Sequence, residues 1–232
     1  MAGQCSKRDT IQFDFFDVVL TSWLKHSNPG LLSELLNAEA HQDIDFIAER
    51  NVSYVEELCV VFLDLSGFGQ AAAAHGDFGA LRLVLVAETM IDELSIKHGG
   101  ELLKSIGDSW LLIFEQAKNA FSFMESLYSG LNELNQNNQD HLSIIPCGGL
   151  AYGPLLKFGK KDIFGKTVNT AAVAGEDAAG PWEILIAESA LDYIELDVDL
   201  NLTDLAIGGE KIYCWTPVVP ETMNLVQFPK VA

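Results

Sequence analysis

Two aspartates stand where the chain could hold divalent cations. Asp64 lies in the apolar run Val60–Leu65, where an ionised carboxylate is costly unless a cation compensates its charge. Asp108 follows Gly107 at the tip of a candidate hairpin. Two carboxylates at the ends of adjacent strands suit a pair of Mg²⁺ ions about 3.5–4 Å apart, because hard cations prefer oxygen ligands. Taken singly, each aspartate is equally typical of an ordinary turn.

The residues directly after Asp64 could bind an anion. The segment Ser66-Gly67-Phe68-Gly69 allows a tight turn whose backbone N–H groups face a ligand, as in phosphate-binding loops. Lys104 alternates with Ile106 and Asp108 onto one face of a predicted strand. Without these neighbours, Lys104 would be interpreted as an ordinary exposed lysine.

A third group of polar residues accompanies a helix predicted to begin near Lys166. Asn169 and Val173 are four residues apart and therefore share one face of that helix. The Asn169 amide could contact a ligand from this face, or it could hydrogen-bond back to the helix backbone. The sequence pattern leaves both roles open.

Alternating strands and helices must position these side chains. Apolar runs predict strands, and helical periodicity predicts the intervening helices. The predicted strands are 59–65, 102–106, 110–114, 142–150, 184–187 and 211–215, and the predicted helices are 78–98, 117–134 and one from 166. Because the hairpins imply antiparallel pairs, we expect an α+β fold with helices packed on a mixed sheet.

Composition excludes several classes of function. The 232 residues carry a formal charge of −19, which repels nucleic acids and anionic lipids. No run is long and apolar enough to span a bilayer, and the start lacks a secretory signal, so we expect a cytoplasmic protein without a membrane span. The four cysteines have no metal-ligand spacing and are expected to be reduced.

Residues 1–52 are predicted to form a separate helical extension. Apolar residues fall on one helical stripe around Trp23 and on a second one from Leu31 to Leu36, with Asn28-Pro29-Gly30 between them. We expect one main domain over 53–220 and a tail over 221–232.

Four segments, in order, resemble the successive motifs of the class III adenylyl and guanylyl cyclases. The likeness extends from about Val60 to Trp215, and four ordered motifs are far more specific than one. The segments are Phe62–Phe68, His98–Asp108, Gly149–Pro154 and Asp162–Asn169. The resemblance implies a ferredoxin-like, palm-type fold that converts a nucleoside triphosphate to a cyclic monophosphate and pyrophosphate.

The resemblance also implies a role for each candidate residue. Asp64, Asp108 and the Leu65 carbonyl would bind two Mg²⁺ or Mn²⁺ ions, and the turn of Ser66, Gly67, Phe68 and Gly69 would bind the triphosphate. Active sites of this family lie between two cyclase domains, in a homodimer or a heterodimer. The partner domain would supply Lys104 and Asp162 to read the base and Asn169 to orient the ribose. A lysine donor and an aspartate acceptor complement adenine, so ATP is the expected substrate.

Two positions depart from the family pattern. The family places a transition-state arginine four residues after the asparagine, where this chain has Val173. The only arginines are Arg8, Arg50 and Arg82, all before the predicted hairpin. The segment 205–209 also lacks a basic phosphate-binding residue that relatives often carry, and Lys211 and Lys166 are the candidates to replace it.

Three functions are therefore compared. The first is an adenylyl cyclase that is slow or depends on a partner. The second is an inactive pseudocyclase that binds nucleotide and metal, or that regulates a partner by dimerisation. The third is a cyclase that uses another nucleoside triphosphate. Retention of Lys104 and Asp162 favours the first.

Overall fold

The computed structural model describes residues 55–137, 143–158, 162–194, 198 and 200–217. The chain falls into two compact units. One unit comprises Glu56–Leu155 and Phe164–Ala232, and it contains most of the described residues. The other comprises Met1–Val55 and Leu156–Ile163. The predicted extension 1–52 and tail 221–232 lie outside the described residues and stay predictions, as do the boundaries of the main domain.

The described residues form a mixed sheet with helices, which is the α+β class expected from the sequence. The strands are β1 (Val55–Leu65), β2 (Gly100–Ile106), β3 (Ser109–Phe114), β4 (Pro146–Phe158), β5 (Asp162–Phe164), β6 (Ile184–Ala187), β7 (Asn201–Ile207) and β8 (Glu210–Trp215). Their order is β2-β3-β1-β4-β6-β8-β7, with β5 paired to β4. β4 and β6 are parallel, whereas β1–β3, β2–β3, β6–β8 and β7–β8 are antiparallel.

The helices come from segments with helical periodicity. They are α1 (Phe68–Lys97), α2 (Ala117–Asn137), α3 (Lys166–Ala172) with a π-helix that continues it (Val173–Ala178), and α4 (Glu188–Leu191). In the amphipathic α2, Phe123, Leu127 and Leu131 are spaced by four residues and are fully buried or nearly so. They pack with alternate residues of β1 in one hydrophobic core.

α1 begins ten residues earlier than the sequence predicted. The sequence predicted a helix over 78–98. The structure instead extends the helix back to Phe68 and bends it at Gly76, whose φ of 73° and ψ of 170° are non-helical. Four consecutive alanines from Ala71 make the earlier segment a strong helix former. The helix stops at Lys97, before Gly99 at φ 72°, as the Gly99-Gly100 pair indicated.

Other elements differ from the sequence prediction at their ends. β4 begins at Pro146 rather than at Leu142 and continues through Gly153 and Pro154 to Phe158. Three short elements, β5, β7 and α4, were not predicted. β7 is mostly exposed, so it lacks the apolar alternation by which a strand is recognised.

Two glycines let the π-helix lie directly on the sheet. A Cβ at Gly149 of β4 would lie 2.5 Å from the Gly175 nitrogen, and a Cβ at Gly175 would lie 2.6 Å from the Phe62 carbonyl oxygen. Backbone can approach backbone this closely only where both residues lack side chains. The contact sets the distance of α3 and the π-helix from β1 and β4.

No helix among the described residues has the length and apolar character needed to cross a membrane.

Candidate active site

Strand register places Asp64 beside the β2–β3 hairpin. Leu63 of β1 is paired with Trp110 of β3, so the next residue, Asp64, lies opposite the start of β3. The Ser109 hydroxyl donates a hydrogen bond of 2.7 Å to Asp64 Oδ1. Asp64 is half-buried between the buried side chains of Leu63 and Leu65. The side chain is therefore held at the strand end rather than left free in solvent.

Asp108 lies in the turn of the same hairpin and interacts with Asp64 electrostatically. The predicted hairpin is present, with Gly107 at φ 65° in the turn. The pKa of Asp64 is raised, first by burial and then by the negative charges of Asp108 and Glu176, although hydrogen bonds from Ser109 and the Leu65 backbone oppose the rise. The structure thus brings Asp64 and Asp108 to one edge of the sheet.

This pair of carboxylates fits a divalent cation. The negative charge of Asp108 opposes the ionisation of Asp64, and a bound cation would reverse that effect. Within the described ranges, no group of three or more His, Cys, Asp or Glu side chains has metal-binding geometry. The Leu65 carbonyl and phosphate oxygens of a ligand would have to complete the coordination.

The candidate anion-binding turn is partly the start of α1. Gly67 has a left-handed φ of 79° and α1 begins at Phe68, so Phe68 and Gly69 belong to the first helical turn rather than to a loop. The Ser66 amide donates to the Ile145 carbonyl at 2.8 Å, which removes it from the expected set of ligand-binding amides. The amides of Phe68 and Gly69 have no intrahelical acceptor, because they are first-turn residues. This turn contains no acidic residue and no side-chain cap, so it is compatible with an anion.

Lys104 lies on β2 just after a β-bulge. The β2–β3 register shifts between Leu102 and Lys104, and Lys104 is then paired with Leu111. Lys104 and Ile106 keep the expected alternation beyond the bulge, whereas Asp108 lies in the turn and outside the strand. Lys104 is half-buried.

α3 presents Asn169 to solvent. Asn169 is exposed, and its backbone N–H donates to the Gly165 carbonyl at 3.1 Å. Val173 follows one turn later as the first residue of the π-helix, with α-helical angles and a half-buried side chain. The shared helix face predicted from the spacing is present, and an aliphatic side chain stands at its end.

Asp162 belongs to the unit that contains Leu156–Ile163. Its side chain is 8% exposed, and Oδ1 accepts a hydrogen bond of 3.1 Å from the Ile163 amide. Its position at the start of β5 was not expected, because a three-residue strand gives no periodic signal.

Sequence reasoning missed Ser109 as a partner of Asp64. The signal was present, because an antiparallel pairing of 59–65 with 110–114 leaves Asp64 and Ser109 opposite each other at the next step. Serine directly after a turn aspartate is too common to attract notice without that register.

Comparison with known proteins gives a match between this chain and a protein family. Residues 50–210 match the family model for the adenylate and guanylate cyclase catalytic domain. A curated relative, the germination-specific adenylate cyclase of Dictyostelium discoideum, is 28% identical over 142 residues, which are 55% of this chain and 16% of that protein. The chain therefore spans only a small part of that relative's length.

Two solved structures share the fold. The adenylyl cyclase CyaB from P. aeruginosa has a TM-score of 0.60 and 21% identity, covering 69% of this chain and 93% of that one. The non-canonical dimeric guanylyl cyclase domain of the RhoGC fusion protein from Blastocladiella emersonii has a TM-score of 0.58 and 20% identity, covering 70% and 96%. At such identities the similarity establishes the palm-type fold and leaves the base preference open.

Proposed function

We propose, from the premise that this chain belongs to the adenylate and guanylate cyclase catalytic domain family, that it converts ATP to cyclic AMP and pyrophosphate slowly or with the help of a partner domain. The observation that carries the proposal is the meeting of Asp64 and Asp108 at neighbouring strand ends, with the Ser109 hydroxyl 2.7 Å from Asp64 Oδ1. A nucleotide cyclase needs divalent metal beside the reacting phosphate, and this edge offers it oxygen ligands.

Asp64, Asp108 and the Leu65 carbonyl are proposed to hold two Mg²⁺ or Mn²⁺ ions. Such ions lower the pKa of a bound hydroxyl and neutralise phosphate charge during in-line displacement. The protein's own contribution at this edge is to orient the Asp64 carboxylate through Ser109 and to hold Asp108 in the β2–β3 turn. The amides of Phe68 and Gly69, which have no intrahelical acceptor, are proposed to bind the phosphate chain.

Residues from a second cyclase domain are proposed to complete the site. The exposed amide of Asn169 would orient the ribose, and Lys104 with Asp162 would distinguish adenine from guanine by donor and acceptor pattern. The Dictyostelium relative is named an adenylate cyclase, which supports adenine as the base. The RhoGC structure is an example of a dimer of this fold, in that case a non-canonical one. The proposal includes both a homodimer and a heterodimer.

Val173 is the reason to expect slow turnover. It stands at the family's arginine position and carries no charge to offset the charge that grows on the reacting phosphate. Arginines that act in phosphoryl transfer contribute about 10³–10⁵ in rate. Of the three arginines in the sequence, Arg82 alone lies within the described residues, on α1 rather than on α3.

The uncharged Val173 also favours a second candidate function, a pseudocyclase that binds metal and nucleotide without converting the nucleotide to product. Its partner would then respond to nucleotide occupancy or to dimerisation. The two candidates share the carboxylate pair and differ only in the chemical step.

The test is incubation of purified protein with Mn²⁺ and ATP, GTP, CTP or UTP, followed by chromatographic identification of products. Cyclic AMP above the metal-only blank, abolished in Asp64→Ala and retained in the matched exposed variant Asp92→Ala, supports the enzyme. ATP binding without product supports the pseudocyclase, provided that Asp64→Ala also removes metal-dependent binding. Failure of the wild-type protein to bind any triphosphate would overturn both.

A further inference from the structure

The face of α3 that carries Asn169 also carries a lysine. Lys166 begins the helix, and Asn169 and Val173 follow it by three and seven residues, so all three lie on one face. Lys166 and Asn169 are about 4.5 Å apart along the helix axis, because each residue adds about 1.5 Å. A group that contacts the ribose and a group one turn away can therefore reach adjoining parts of one nucleotide.

A carboxylate engages the Lys166 ammonium group. Lys166 Nζ lies 3.1 Å from Glu210 Oε1, and the Lys166 side chain is 61% exposed. The Ser189 amide donates to Glu210 Oε2 at 3.2 Å, which fixes the carboxylate from its other side. Burial raises the pKa of Glu210, but the hydrogen bonds of Ser189 and Lys166 lower it more, so the glutamate is held as an anion. The exposed Lys166 ammonium group therefore already binds a negatively charged carboxylate oxygen.

The β7–β8 turn is shaped to accept the lysine stem. A Cβ at Gly208 would lie 3.3 Å from Lys166 Cε and 2.7 Å from Thr170 Oγ1, and Gly208 has φ 59°. A side chain at Gly208 would push the lysine away from the turn. Thr170 is fully buried here, and its hydroxyl has no hydrogen-bond partner among the described residues. Gly208 is part of the segment 205–209, which contains no basic residue.

Lys211, the other candidate from the sequence, is directed elsewhere. Its Nζ lies 2.8 Å from Glu188 Oε1, with the lysine 60% exposed and the glutamate 46% exposed. Glu188 begins α4, and neither residue lies on α3. The two lysines are equally exposed, although Glu210 is 19% exposed and Glu188 is 46% exposed. Of the two lysines, Lys166 is the one on the face of Asn169.

We infer that Lys166 binds the phosphate chain of the nucleotide whose ribose Asn169 orients, exchanging the Glu210 carboxylate for phosphate oxygens. The Lys166 side chain is 61% exposed, whereas that of Glu210 is 19% exposed, so the ammonium group is the accessible member of the pair. A triphosphate carries more negative charge than one carboxylate and can therefore compete for that ammonium group. Glu210 then competes with phosphate for the same ammonium group. This inference rests on the proposed function and adds a substrate-binding residue to it.

Equilibrium binding of ATP and AMP in the presence of Mg²⁺, by calorimetry, tests the inference. Lys166→Gln should weaken ATP binding about tenfold, the loss of one charge-assisted hydrogen bond, with little change for AMP. Glu210→Gln should strengthen ATP binding, because it removes the competing carboxylate. Lys211→Gln and Glu188→Gln, the matched pair, should leave both affinities within about twofold of the wild type.

The expected changes in ATP affinity are opposite in Lys166→Gln and Glu210→Gln, and this difference distinguishes ligand binding from a structural role. If the Lys166–Glu210 pair only held α3 to β8, both variants would weaken ATP and AMP binding together and would lower the melting temperature together, and the inference would be wrong. It would also be wrong if wild-type protein bound ATP and Lys166→Gln bound it equally well, while the proposed function stood. Absence of nucleotide binding by the wild type would instead overturn the proposed function.

Discussion

Asp64 is an acid in a place that disfavours its ionised form. Burial and the charges of Asp108 and Glu176 raise its pKa, and only hydrogen bonds from Ser109 and the Leu65 backbone oppose them. A bound cation would favour the ionised form of Asp64. An orienting hydrogen bond would hold the carboxylate in position for that cation. The Ser109 hydroxyl, at 2.7 Å, donates that hydrogen bond.

Replacement of Ser109 by alanine should weaken metal binding. Residues that orient a metal ligand typically contribute about 10–100-fold in affinity, and we expect roughly tenfold for one hydroxyl. Manganese titration followed by electron paramagnetic resonance measures the change. Ser105→Ala is the matched control, since the exposed Ser105 of β2 donates to Glu88 Oε1 of α1 at 3.2 Å and not to Asp64. Equal metal affinity in the Ser109→Ala and Ser105→Ala variants would show that Ser109 has no role in metal binding.

A substitution at Val173 should increase the activity. Val173→Arg should raise cyclic AMP formation at least about tenfold if the rest of the site is intact, because it restores a cation beside the reacting phosphate. Steady-state rates with Mn²⁺ and ATP measure it, and Val173→Met controls for side-chain length without charge. An unchanged rate in the arginine variant would show that other parts of the site are also defective.

Two elements set the geometry around these residues. The β2–β3 hairpin holds Asp108 beside β1, and the π-helix holds Val173 and α3 against β1 and β4. The second contact depends on Gly149 and Gly175, whose backbones meet without side chains. A helix that continues as a π-helix is uncommon and often accompanies a functional site.

Gly175→Ala should destabilise the fold by about 1–3 kcal/mol, because the new Cβ would lie 2.6 Å from a backbone oxygen that cannot move freely. Chemical denaturation measures the free energy of unfolding. Gly69→Ala is the control, since a Cβ at Gly69 meets nothing within 4 Å. A loss of the same size in both variants would contradict the close packing of the π-helix on β1.

At the scale of the whole molecule, the proposed function requires two copies or two related domains. The carboxylates and the α3 face would then act on the same nucleotide from different subunits. An interface of this kind gives each symmetric dimer two equivalent sites. Variants in the two halves of the site should therefore complement each other.

Mixing Asp64→Ala with Asn169→Ala should restore nucleotide binding that neither variant has alone. Random exchange of subunits makes half of the dimers mixed, each with one intact site, so about a quarter of the wild-type sites should return. Binding stoichiometry measures this fraction. A mixture of Asp64→Ala and Asp108→Ala should restore none, because both changes affect the same half. Restoration in that control, or none in the test mixture, would contradict a shared site.

The sequence by itself determined the family, the α+β class and the main strands and helices, because ordered motifs and apolar periodicity are local properties of the chain. It also placed Asp64 and Asp108 at strand ends, since a glycine–aspartate turn and a buried run can be recognised within a few residues. Tertiary structure alone decided the Ser109–Asp64 hydrogen bond, the ion pairs of Lys166 with Glu210 and of Lys211 with Glu188, and the contact of Gly149 with Gly175. Each of these joins residues far apart along the chain, and their distances follow from strand register and packing rather than from local pattern. The start of α1 at Phe68 shows the same limit, because the helix is continued on both sides of the non-helical Gly76, and the periodic pattern alone predicted only the part after it.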